Sequence, residues 1–130
     1  NYIRAVHVET KLVQAMGREV ILPAGLRWLN ECAALAEAAR KLTFDDNNPE
    51  DHYYQRVRAS VSGMLSSLDQ LDAEHAEVDA LTGIQVRAQA ARDRLLPLLD
   101  QCRSHADALE KTVNDLDWPL PKYNGMLWQQ

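Results

Sequence analysis

The sequence is poor in the residues that build β-sheets and in those that cross-link small folds. Its 130 residues include one Phe, five Gly, five Pro and two Cys. Eighteen Leu and 17 Ala stand against 12 Val and Ile taken together, so helix formers dominate and an all-β fold is excluded. A chain of this length can bury a core as one domain without metal or disulfide cross-links.

Long apolar runs and paired cysteines are also missing. No stretch approaches the ~20 apolar residues that a membrane span needs, so we expect no transmembrane segment. Cys32 and Cys102 lie far apart and in no C-x-x-C pair, which favours two buried thiols and a cytoplasmic location. The helical pattern is already running at Tyr2, with no cap or signal peptide ahead of it, so we expect a piece of a longer protein.

Positive charge is scarce in the middle of the chain. The formal net charge is -5, and residues 43–83 carry nine acidic but only two basic groups. Without a basic stripe there is little to neutralise phosphates, so nucleic acid is not an expected partner. The acidic stretch is either a solvated face or a docking face for a basic partner.

What the sequence does contain is helical periodicity throughout residues 1–117. It predicts a helix over 2–42 with a kink at Pro23, a second over 49–81, and a third over 84–116 with a kink at Pro97. The expected fold is all-α: an elongated antiparallel three-helix bundle with an extended C-terminal tail.

The loop over residues 43–49 ends in a helix start signal. Asn48 is expected as the N-cap, with Pro49 in the first turn and Glu50 and Asp51 near the positive end of the helix dipole.

Each predicted helix has one apolar face. The first comprises Val6, Val13, Met16, Val20, Leu29, Cys32, Leu35, Ala36, Ala39 and Leu42. The second comprises Val57, Val61, Met64, Leu68, Leu71, His75 and Val78, and the third Leu95, Leu98, Leu99, Cys102, Ala106, Leu109, Val113 and Leu116. Asp46 and Glu77 are expected in solvent.

The histidines do not form a recognisable ligand motif. Di-iron bundles need Glu-x-x-His on two helices, and only residues 72–75 approximate it. We therefore expect His75 to be a hydrogen-bonded core residue, His7 and His105 not to be ligands, and His52 to be exposed.

Other chemistry is also missing from the pattern. Residues 45–56 resemble a calcium loop but have Glu50 and Arg56 at its diagnostic positions. The serines lack a spaced His and Asp, and no Gly-rich phosphate loop occurs. We expect no catalytic, cofactor-binding or metal-binding residue in this chain.

The tail over residues 118–130 is the most distinctive segment. It combines two prolines with six large apolar side chains, so it cannot continue the helix and is costly to leave in water. We expect an extended docking tail; the alternative is that it folds back on its own bundle. The expected interaction residues are Trp118, Pro119, Leu120, Pro121, Tyr123, Leu127 and Trp128.

Four segments, in order, resemble the C-terminal region of type III glutamine synthetases. They are residues 2–9 (Tyr-Ile-Arg-Ala-Val-His-Val-Glu), 19–24 (Glu-Val-Ile-Leu-Pro-Ala), 92–97 (Arg-Asp-Arg-Leu-Leu-Pro) and, most specifically, 118–123 (Trp-Pro-Leu-Pro-Lys-Tyr). Residues 124–128 depart from the Arg-Glu-then-Leu-Phe ending of that family.

The resemblance implies a parent enzyme that is a cytoplasmic, ATP- and Mg-dependent glutamate–ammonia ligase and a large homo-oligomer. The glutamate loop and metal-binding glutamates of such enzymes have no counterpart here, so no catalytic residue is carried over. It implies a non-catalytic helical region that contacts the catalytic core and neighbouring subunits. The alternative is a free-standing helical adaptor that binds a partner through the tail or the acidic face.

Overall fold

The computed structural model describes residues 2–113, which form three helical rods joined by short connections. The elements in chain order are α1 (Tyr2–Met16), a π-helical turn (Gly17–Ile21), α2 (Leu22–Thr43), α3 (Pro49–Asp79), α4 (Ile84–Ala90), a second π-helical turn (Ala91–Leu95) and α5 (Leu96–Thr112). No strand occurs among these residues, so the all-α prediction is confirmed. None of the helices within this range is both long and apolar enough to cross a membrane.

The rods are antiparallel, as the cross-bundle contacts show. In the first rod, His7 contacts His75 of α3, and Arg18 contacts Asp72 of α3. Residue numbers therefore increase along the first rod as they decrease along α3. The third rod behaves likewise, because Arg94 pairs with Glu74 and Thr112 pairs with Tyr53, earlier in α3. The middle rod therefore packs between two rods that run in the same direction.

Both prolines follow a π-helical turn. The backbone N–H of Leu22 donates to the Gly17 carbonyl, and that of Leu96 donates to the Ala91 carbonyl, each five residues back. Pro23 and Pro97 then stand in the first turn of α2 and α5. Because a proline lacks the N–H and crowds the preceding turn, one extra residue there relieves the conflict while the helix continues. The irregularity predicted at each proline lies in the turn before it.

The helix ends are fixed by caps. The Asn48 side chain accepts a hydrogen bond from the Asp51 N–H at 2.8 Å, which confirms the predicted N-cap of α3. Helix α5 ends at Thr112 and Val113 is extended, and residues 114–116 of the predicted third helix lie outside the described residues. The hydroxyl of Tyr53 donates to the Thr112 carbonyl at 3.0 Å and so fixes this end against α3.

The core forms where the three apolar faces meet. Every predicted α3 face residue is buried, and so are Leu99 and Leu109 on α5 with Cys32 and Cys102. Two members of the first face are placed wrongly by the sequence, since Leu35 and Leu42 are exposed. They lie about a quarter turn around α2 from the Cys32 and Ala36 face, at the 100° per residue of an α-helix. Asp46 and Glu77 are exposed as predicted.

Candidate functional site

A polar cluster lies where the first rod begins and α3 ends. His75 and Asp79, four residues apart, project from the same face of α3. Because the rods are antiparallel, His7 of α1 reaches the same place, and the short connection after α3 brings Arg87 of α4 beside it. We call these four residues the histidine cluster.

The ligand-bearing atoms of the cluster lie close together. Nε2 of His75 is 3.0 Å from Nδ1 of His7, and the two rings are tilted with centroids 4.9 Å apart. The Asp79 carboxylate places Oδ2 3.5 Å from His75 Nε2 and Oδ1 3.7 Å from His7 Nδ1. Nη2 of Arg87 lies 3.8 Å from the same Oδ1.

Burial differs across the cluster. His75 is only 8% exposed, whereas the side chains of His7 and Asp79 are 37% and 41% exposed. Burial lowers the pKa of His75, and the nearby Asp79 charge opposes that effect. The lowered pKa favours the neutral imidazole of His75, and its partner His7 is open to solvent on one side.

The structure confirms His75 as a buried, hydrogen-bonded histidine, but the sequence missed its partners. The His75 and Asp79 spacing was a visible signal, whereas His7 is 68 residues away and is brought in only by the packing. His52 instead contacts Asn47 at 2.5 Å in the first turn of α3, and His105 packs against Gly63. One group of three potential metal-ligating side chains occurs within residues 2–113. It comprises His7, His75 and Asp79, whose ligand atoms all lie within 4.8 Å of one another.

The acidic side of α3 is paired with arginines of the same chain. Arg18 contacts Asp69 at 2.8 Å and also Asp72, and these hydrogen bonds raise the pKa of its guanidinium. Arg94 bonds Glu74 through Nε at 2.5 Å and also contacts Glu77. These carboxylates therefore serve contacts between rods, which weakens the interpretation of the acidic stretch as a docking face.

Large apolar side chains remain exposed at the opposite end of the first rod. Leu42 is 81% exposed and Phe44 94% exposed, and Leu35 lies one heptad before Leu42 on the same face of α2. Trp28 stands a further heptad back, half-buried, and its indole Nε1 is buried without a hydrogen-bond partner. We call these four residues the α2 apolar face.

The chain leaves the described region near this face. Val113 follows the Thr112 carbonyl that bonds Tyr53, in the first turns of α3, and Phe44 lies just before α3 begins. The predicted interaction residues between 118 and 128 lie outside the residues that the structure describes.

Comparison with known proteins adds no relative. No protein-family model matches the chain, and neither does any curated protein or solved structure.

Proposed function

We infer that the chain is a non-catalytic assembly element: the C-terminal helical region of a cytoplasmic type III glutamine synthetase. The parent would join ammonia to glutamate using ATP and Mg, with its active site upstream of this region. The four segments that resemble that family occur in the family's order along the chain, and they support this identity.

The α2 apolar face carries the proposal. Leu42 and Phe44 are large apolar side chains that are largely exposed and lie two residues apart in the chain; such exposure is costly in water and is typical of contact sites. We infer that it is covered by the catalytic core or by a neighbouring subunit of the parent. The described residues end at Val113, beside the contact of Thr112 with Tyr53 near the start of α3, and residues 118–128 would extend the same contact.

The first test is the coding sequence upstream of Asn1. A glutamate–ammonia ligase catalytic domain is expected there. An open reading frame that begins at this region, or one that joins it to an unrelated domain, would instead favour the free-standing adaptor.

The second test uses the full-length protein. The double variant Leu42→Ser with Phe44→Ser should lower the assembly mass measured by light scattering, whereas Asp46→Ser, in the exposed loop that follows α2, should leave it unchanged. None of the three substitutions removes a buried side chain. Circular dichroism should therefore show the same helix content in the unmodified protein and in both variants. An unchanged assembly mass in the double variant would refute the role of this face.

A further inference from the structure

We propose that His7, His75 and Asp79 form a binding site for a divalent transition metal ion, with Zn²⁺ as the best-fitting ion. The site goes beyond the assembly function and does not depend on it. It also departs from the expectation, based on the sequence, that this chain holds no metal.

The donor set suits such an ion. Imidazole nitrogen and carboxylate oxygen are common zinc ligands, and two histidines with one carboxylate form a known three-ligand arrangement. The ligands come from two rods, so a bound ion would join α1 to α3 at the end where His7 and Asp79 remain partly exposed.

The spacing of the atoms fits a single ion. Bonds of about 2.0–2.1 Å in a tetrahedral site place ligand atoms about 3.3 Å from one another. Nε2 of His75 lies 3.0 Å from Nδ1 of His7 and 3.5 Å from Oδ2 of Asp79, one on each side of that value, and the second carboxylate oxygen, Oδ1, lies 3.7 Å from His7 Nδ1. A hydrogen bond between His7 and His75 would not by itself require a carboxylate this close to both rings. The position of Asp79 therefore favours a shared metal ion.

The neighbouring residues orient the Asp79 carboxylate and leave space for a fourth ligand. Oδ1 of Asp79 is the oxygen nearer Arg87, so Oδ2 faces His75 as a single donor. A cavity of about 300 Å³ opens beside His7, lined by Ile3, Arg4, His7, Ile84 and Arg87. This cavity has room for a water molecule as the fourth ligand, which is the usual arrangement when a protein supplies three.

Binding can be measured on the whole 130-residue chain. All four histidines and both cysteines lie within the described residues, so the position of every such potential zinc ligand relative to the cluster is known. The probes are Zn²⁺ in calorimetric titration and Co²⁺ followed by its visible absorption. We expect one ion per chain, a rise in the unfolding temperature with Zn²⁺ and no comparable binding of Mg²⁺, which prefers oxygen ligands.

The variants separate this site from adventitious binding. His7→Ala and Asp79→Asn alter partly exposed side chains and should each weaken Zn²⁺ binding at least tenfold. His52→Ala removes a histidine far from the cluster and should bind as the unmodified chain does. A circular dichroism spectrum that is unchanged in all variants excludes loss of folding as the cause.

Two results would overturn the proposal. One is the absence of saturable Zn²⁺ and Co²⁺ binding by the unmodified chain. The other is binding of equal strength in the unmodified chain, His7→Ala and Asp79→Asn, which would place the ion elsewhere.

Discussion

Cys102 is almost fully enclosed by the bundle, and its surroundings control its chemistry. Burial raises the pKa of its thiol from the usual 9.0 to about 11, and the charge of Asp72 acts in the same direction while Arg18 opposes it. Burial also raises the pKa of Cys32. Both residues therefore pack as small apolar side chains, as the sequence predicts, and the neutral thiol is the stable form at physiological pH.

Ionisation of Cys102 should make stability depend on pH. An unfolded thiol ionises near pH 9 and the folded one near pH 11, so the folded state binds more protons between these values. The contribution of the Cys102 thiol to the free energy of unfolding is therefore fully present below pH 9 and is lost as the pH rises towards 11. From pH 8.5 to 11, the free energy of unfolding should fall by about 2 kcal/mol more in the unmodified chain than in Cys102→Ala. Urea unfolding at each pH measures this; parallel curves for the two proteins would contradict it.

Leu109 should contribute far more stability than an exposed loop residue. Its side chain has no exposed surface and lies against Gly25 of α2. Leu109→Ala should therefore lower the free energy of unfolding by about 2–5 kcal/mol, the cost of a cavity at a buried leucine. Asp46→Ala, in the exposed loop, should stay within about 0.5 kcal/mol. Equal effects in chemical denaturation would mean that the helical phase of α5 is wrong.

At the scale of the elements, α3 and α5 approach each other closely at Gly63. A Cβ atom at this position would lie only 2.3–2.7 Å from atoms of the His105 ring. The missing side chain therefore creates the space in which the imidazole lies. A glycine here costs an α-helix stability, but it leaves room for the neighbouring rod, which occupies that volume.

Gly63→Ala tests this contact. Alanine favours a helix over glycine by about 1 kcal/mol, yet we expect the variant to lower the unfolding temperature because the ring of His105 must move. Adding His105→Ala to it should remove the conflict, so the double variant should be more stable than Gly63→Ala alone. Thermal unfolding of the two single variants and the double variant gives the coupling. A stabilised Gly63→Ala variant would contradict the close approach.

The elements also show how far the sequence could go. The α3 face and the Asn48 cap were predictable because spacing and cap chemistry act within a few residues. The sequence located the irregularities near Pro23 and Pro97, but not their π-helical form, which depends on packing around the turn. The His7 and His75 contact was unpredictable, since it requires the rotation of α1 about its own axis relative to α3.

Considered as a whole, the molecule places its acidic rod between arginines of the two flanking rods. Arg18 reaches α3 from the first rod and Arg94 from the third, so charge helps to align both neighbours on the same helix. Such partly exposed pairs are individually weak, and the apolar core supplies most of the stability. Leu35, Leu42 and Phe44 of the α2 apolar face are exposed and take no part in these pairs.

Deletion after Asp117 should separate folding from assembly. All core residues in the described range precede this point, so the unfolding temperature of the truncated 117-residue bundle should remain close to that of the 130-residue chain. The full-length protein truncated at the same position should have a lower assembly mass in light scattering, because the tail residues are lost from the contact. Unchanged assembly mass and activity would refute a docking role for the tail, and an unfolded bundle would refute the division at residue 117.

The π-helical turn over Gly17–Ile21 also sets the rotational phase of everything before it. A π-helical turn contains one residue more than an α-helical turn, and one residue corresponds to about 100° of rotation. Removing a single residue from this turn would rotate α1 by that angle and would also restore the conflict with Pro23 that the extra residue relieves. Val6 and Thr10 would then leave the core, and His7 would no longer face His75. The number of residues in this turn thus determines which face of α1 packs against the bundle, and a one-residue deletion would change that face.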